Sequence, residues 1–235
     1  MPTTLRHSAL LRQKLVEIDR QTRTRYRSRL ELFGLNHHWR VVGYESAAFQ
    51  ASRFREVTRI ADFEGRSIID IGCGLGDFFD FLVESRIKFH HYLGIDAVPE
   101  IVKVARNLHP KAQFIIGNPL LKPLRRRADI ITIIGVVNRR LARLNNYDYT
   151  MGLLKTAFAI TNETIVVNML SSYLAPKHQS DPEYFHYSPE RIFRLCQNIT
   201  PYVSLHHDHS PLPHAELFVT LRKSPCDMET KQLRK

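Results

Sequence analysis

Apolar residues recur at helical spacing over residues 8–33. Leu10, Leu11, Leu15, Ile18, Leu30, Leu32 and Phe33 stand among Arg and Gln, which predicts an amphipathic helix stopped by Gly34 and Asn36. A second helix is predicted over 46–63, with Ser46 as N-cap and Ala48, Phe49, Phe54, Val57 and Ile60 as its buried stripe. From residue 66 the pattern changes. The runs SIIDIG, HHYLGID, AQFIIGN, ADIITIIGV and ETIVVNMLS are short, apolar and rich in β-branched residues, and most are parted by helical stretches such as PEIVKVARNLH and SPERIFRLCQNI. Strands without strict alternation are covered on both faces, so a doubly wound, mostly parallel α/β sheet is expected. YVSLHHDH and AELFVTLRK have only SPLPH between them, so the last two of seven strands are expected to pair as an antiparallel hairpin.

This pattern divides the 235 residues into a helical extension (1–45), one α/β domain (46–223) and a basic tail (224–235) that is expected to fray. Apolar residues make up 43% of the chain, enough for a packed core, yet no apolar run approaches the length of a membrane span. The start of the chain lacks the apolar block of a secretory signal. Cys73, Cys196 and Cys226 fit no C-x-x-C or Cys/His zinc spacing, and an odd, scattered set suggests reduced thiols in a cytoplasmic setting. The net charge of +11 is concentrated at the ends: residues 1–40 hold nine Lys/Arg against three acids, and 222–235 hold five against two. Basic ends could touch nucleic acid, but no stacking-aromatic module of the RRM or KH type accompanies them.

The chemistry concentrates in IIDIGCGLGDFFDF, residues 68–81. Gly72, Gly74 and Gly76 follow a predicted strand and open a helix, where an open α/β sheet binds its ligand. Glycine permits a sharp turn and lets a ligand approach the main chain. A dinucleotide fingerprint needs glycines at positions one, three and six; the sixth position is Asp77 counted from Gly72 and Phe79 counted from Gly74. A phosphate-binding P-loop needs Gly-Lys-Ser/Thr, and the loop has no lysine. Asp77 puts a negative charge where a phosphate would sit. A ligand with cationic groups suits the loop better. Cys73 within it reads as a small residue in a tight turn.

D-I-G-C-G-L-G resembles motif I of the class I S-adenosylmethionine (SAM)-dependent methyltransferases, D/E-x-G-x-G-x-G. YLGID then resembles the second motif, AQFIIGNPL the third and ADIITIIGVVN the fourth, so the likeness covers about residues 65–200. It implies SAM as cofactor, held by Asp70, Gly72, Cys73, Gly74, Gly76, Asp96, Ala97, Asn118, Pro119 and Gly135. Within that set Asp96 would grip the ribose hydroxyls, Asn118 (where Asp is common) would face adenine N6, and the end of the fourth strand would line the methyl-transfer face. GYESAAFQASRF, VVNMLSSY and FHYSPERIF resemble an uncharacterised bacterial subgroup of small methyltransferases, although Tyr44 and Val137 depart from its pattern. That resemblance implies a small-molecule acceptor; RNA or protein methylation, or a SAM-binding regulator without catalysis, are the alternatives. GNPLL lacks the second proline and the tyrosine of N-P-P-Y and follows the wrong strand, which speaks against adenine-N6 methylation.

Acceptor-side candidates are Asn138, Tyr173, His186, Tyr187, His207, Asp208 and His209, with His186 preferred as a general base because it sits among aromatics in a loop on the ligand side. Tyr26 and Tyr44 would reach the pocket if the N-terminal helices fold across its mouth as a lid.

Overall fold

The computed structural model describes residues 3–173, 181–208 and 216–225, with side chains from residue 9 onward. The core is a twisted sheet in the order β3-β2-β1-β4-β5-β8-β7. Its strands are β1 (Ser67–Ile71), β2 (His91–Asp96), β3 (Gln113–Ile116), β4 (Ala128–Ile133), β5 (Thr161–Ser171), β6 (His186–Tyr187), β7 (Val203–His206) and β8 (Glu216–Arg222). The first five pair in parallel. β8 runs antiparallel to β7, as the final two runs predict, and antiparallel to β5 as well. Among the described residues the sheet has eight strands, not seven. The addition is β6, two residues that the sequence places in a loop and that pair in parallel with the end of β5.

Helices cover both faces. On one side α6 (Asn146–Ile160) and α7 (Pro189–Gln197) bury Leu154, Ala157, Ile192 and Cys196 against Ile69, Ile131, Ile165 and Val167. On the other, α3 (Ala47–Ile60), α4 (Asp77–Glu84) and α5 (Pro99–Leu108) bury Phe54, Val57, Phe78, Leu82 and Val102 against Ile68, Ile130 and Val166. Successive residues of β1 thus feed opposite cores, which is why its sequence is apolar without alternation. The Ser46 hydroxyl accepts from the Phe49 amide and caps α3 as predicted, but Ala48 is exposed because it faces away from the sheet.

The N-terminal helix α1 runs from Thr3 to Phe33, and Gly34 ends it at φ 62°. Only part of the predicted stripe is buried. Leu15 and Ile18 are inside and Leu30 and Phe33 pack on Val41, Leu75, Val98 and Ile101, whereas Leu10, Leu11 and Leu32 remain exposed. The packed positions run from Leu15 to Phe33, and the exposed leucines point away from the domain. A single-turn α2 (His38–Val41) returns the chain toward α3. Among the described residues no helix is long and apolar enough to cross a membrane. His209, Cys226 and nearly all of the predicted tail lie outside the described residues.

Candidate functional site

The carboxyl ends of β1, β2, β3 and β4 open into a cavity of about 360 Å³, closed from above by α1. The glycine loop forms its floor. Gly72, Gly74 and Gly76 all have positive φ, at 76°, 55° and 92°. The space a side chain would take is filled by the protein itself: a Cβ on Gly72 would stand 2.3 Å from Val136, and one on Gly74 2.7 Å from Val42. The glycines therefore serve the turn and the packing of neighbouring segments on it, more than the approach of a ligand. Gly72, Cys73 and Gly74 line the cavity while Gly76 does not; it is the N-cap of α4. Cys73 is buried, and burial lifts its thiol well above the ordinary range, so it is inert as a nucleophile.

Three carboxylates point into this end. Asp70 is buried and accepts from the Tyr92 hydroxyl at 2.6 Å and the Thr132 hydroxyl at 2.7 Å. Burial, only partly offset by those two bonds, pushes its pKa up to about 6. Asp96 ends β2 and accepts from the Val98 amide at 2.9 Å and the Gly74 amide at 3.1 Å, which ties β2 to the glycine loop. Burial raises its pKa too, against those main-chain bonds. Asp77 accepts from Gln50 at 2.9 Å and faces His38 Nδ1 at 3.2 Å; the bond to Asp77 raises the His38 pKa.

Ala97, Asn118 and Pro119 border the same cavity. Asn118 is held by its neighbours: its amide donates to Asp19 of α1 at 3.0 Å, and its oxygen accepts from the Leu120 amide at 3.1 Å. The buried Asp19 carboxylate lines the cavity there, and its second oxygen pairs with Arg23 at 2.8 Å.

The far end is built differently. Gly135 and Tyr44 meet there, with Tyr44 stacked under the Arg53 guanidinium at 4.7 Å. Arg53 in turn is bound by Glu216 at the start of β8, which also accepts from Asn168 at 3.1 Å. Burial works against the Arg53 charge, but Glu216 and Tyr44 outweigh it and raise its pKa. Burial raises the Tyr44 hydroxyl to about 12. Asn138 lines the cavity, and its side-chain oxygen accepts from the Leu170 amide at 3.1 Å. His186 lines it as well, as the only histidine among the described lining residues.

Other candidates lie elsewhere. Tyr187 is fully buried behind the sheet, bonded to Thr150 and the Val137 carbonyl, because β6 turns it inward. Tyr173 is exposed and bonded to Glu190. His207 bonds Ser171 and Asp208 pairs with Arg59, both outside the cavity lining. Tyr26 does line it, beside Arg25 and Arg29 of the same helix. Gln50, Arg53, Arg139, Tyr149 and Tyr184 also line it and were not anticipated. Only Gln50 and Arg53 carried a signal, as the Q-x-x-R of the 43–54 segment.

No family model and no curated protein matches the sequence. Many solved structures match the fold. The plantazolicin methyltransferase BamL, solved with a triazolic desmethylPZN analog and SAH, superposes with TM-score 0.59 at 17% identity over 92% of this chain and 98% of its own. Magnesium protoporphyrin IX methyltransferase (ChlM) from Synechocystis PCC 6803, solved with SAM, gives 0.58 at 12% identity over 86% and 97%. A SAM-dependent methyltransferase from Clostridium acetobutylicum ATCC 824 gives 0.54 at 12% over 76% and 92%. The chain has the Rossmann-like fold of the class I SAM-dependent methyltransferases.

Proposed function

We propose that this protein is a SAM-dependent methyltransferase acting on a small-molecule acceptor. One observation carries the proposal: the half-buried Asp96 carboxylate ends β2 beside a left-handed glycine loop, at an end of the cavity also lined by Asp19, Asp70 and Asp77. An acidic, glycine-floored cavity fits a ligand with an ammonium, a sulfonium and a vicinal diol. When bound, SAM supplies an electrophilic methyl group on a good leaving group.

The residues would divide the work as follows. Asp96 takes the ribose hydroxyls, since a carboxylate accepts two hydrogen bonds at once. Asp19 and Asn118 meet the exocyclic amine of the nucleobase, Asp19 as the acceptor and Asn118 as the group that orients it. Asp77, steadied by Gln50 and His38, faces the ammonium end. Residues 1–45 act as a lid, because α1 supplies part of the cavity wall and excludes water from it. Alignment in a dry site is worth up to about 7–11 kcal/mol in favourable cases, so the chain needs little further chemistry. His186 removes the proton if the acceptor atom carries one.

Calorimetry tests this directly. Wild-type protein should bind SAM and its demethylated product SAH, and Asp96→Ala should weaken SAH by about 100-fold, the loss of charged hydrogen bonds to two hydroxyls. Circular dichroism would confirm that the variant folds. Absence of heat with SAM and SAH, with NAD binding instead, would refute the proposal. Isotopically labelled SAM offered to acceptor pools would then find the substrate.

A further inference from the structure

Charges of both signs line the cavity. Asp70, Asp77, Asp96 and Asp19 gather where the glycine loop and the ends of β2 and β3 meet. At the mouth the sign reverses. Arg25 and Arg29 lie one turn apart on α1 and face the cavity, and Arg139 reaches it from the segment after β4.

Their pairing is incomplete. Arg25 binds Glu183 at 2.9 Å. Among the described residues Arg29 donates to main-chain oxygens, those of Arg40 and Val41. Among the described residues no carboxylate forms an ion pair with Arg29 or Arg139. Asp181 also lines the cavity, but its carboxylate accepts from the Glu183 amide and turns its own loop. Burial lowers the Arg29 pKa, and the like charge of Arg25 lowers it further. Tyr26 and Tyr184 line the same cavity, and Arg139 is joined to Tyr184 by a main-chain bridge.

From this arrangement we infer that the acceptor is a small organic acid, whose carboxylate or phosphate oxygens dock on Arg25, Arg29 and Arg139 while Tyr26 and Tyr184 flank its apolar body. Guanidinium groups match the geometry of both oxyanions. The inference rests on the methyl-transfer proposal, since it assigns the mouth to the acceptor and the acidic end to the donor.

The test uses full-length protein saturated with SAH and titrated with 4-hydroxybenzoate, phenyl phosphate, uncharged 4-hydroxybenzamide and inorganic phosphate. One of the two organic anions should bind at least about tenfold more tightly than the amide, and the tighter one names the oxyanion. Arg139→Ala should weaken that anion by about tenfold while SAH affinity stays within about twofold. The Arg139 side chain makes no ion pair among the described residues, so the variant should fold; Arg139→Lys should restore part of the affinity. Four results would overturn the inference: equal binding of amide and acids, no binding of any organic probe, inorganic phosphate matching the organic anions, or Arg139→Ala weakening SAH and leaving the probes alone. The last would assign the arginines to the donor's own carboxylate. Failure of wild-type protein to bind SAH would instead strike the methyl-transfer proposal beneath it.

Discussion

Glu216→Ala is the sharpest probe of how the far end of the cavity is held. The Arg53 and Glu216 side chains are only 10% and 1% exposed. Arg53 Nε donates to Glu216 at 2.5 Å, and the other carboxylate oxygen accepts from Asn168. Removing Glu216 leaves a guanidinium buried over the rings of Tyr44 and Phe49 with no counter-charge. Breaking a buried pair in this way costs about 3–5 kcal/mol. Against a total stability of about 5–15 kcal/mol that is a large fraction. For a chain of this size each kcal/mol moves the melting temperature by about 2–4 °C, so the expected drop is about 6–20 °C. Arg53→Met combined with Glu216→Leu should recover most of it, since an apolar pair of similar volume replaces the ions. Recovery should fall short by about 1–3 kcal/mol, because the Asn168 amide loses its acceptor. Thermal melts followed by circular dichroism measure all three proteins. A drop below about 2 °C for Glu216→Ala would place the pair in the range of exposed salt bridges and refute the reasoning.

Two further outcomes follow from the glycine loop. Because the Asp70 pKa is raised from 3.8 to about 6, the folded state holds that proton more tightly than the unfolded chain. Its contribution is fully present below pH 3.8 and is lost as pH rises through about 6, on the order of 3 kcal/mol. Urea midpoints measured from pH 4 to 7 should show this component in wild type and lose it in Asp70→Asn; identical profiles would contradict it. Gly72→Ala forces φ 76° on an alanine and sets its Cβ 2.3 Å from Val136. It should cost about 1–3 kcal/mol in backbone strain plus the clash, and Val136→Ala should return only the clash. An unchanged melting temperature for Gly72→Ala would exclude both effects.

Much of the architecture was legible because burial on both faces writes itself into continuous apolar runs, as in SIIDI and IVVNML. The carboxyl-end position of the glycine loop followed from strand-then-helix order, and that of Asp96 from the resemblance of YLGID to the second methyltransferase motif. What stayed hidden depends on contacts far apart in the chain. Asn118 and Asp19 are separated by 99 residues, and Arg53 and Glu216 by 163. A periodic pattern cannot announce such partners, and Asp19, Arg25 and Arg29 look like ordinary solvated helix positions. The same limit explains Leu10, Leu11 and Leu32: periodicity marks an apolar stripe without saying how much of it meets a surface. Tyr187 was misplaced because a two-residue pairing with β5 decides which way its ring turns.

The order of strands across the sheet has a consequence for synthesis. β8 lies between β5 and β7, although it is made after both. Until residues 216–222 leave the ribosome, β5 offers an unpaired edge and β7 has nothing to pair with. The same late segment delivers the carboxylate that neutralises Arg53. A nascent chain halted at residue 210 would therefore carry an exposed apolar flank and an unbalanced cation. It would be a natural client for chaperones or degradation.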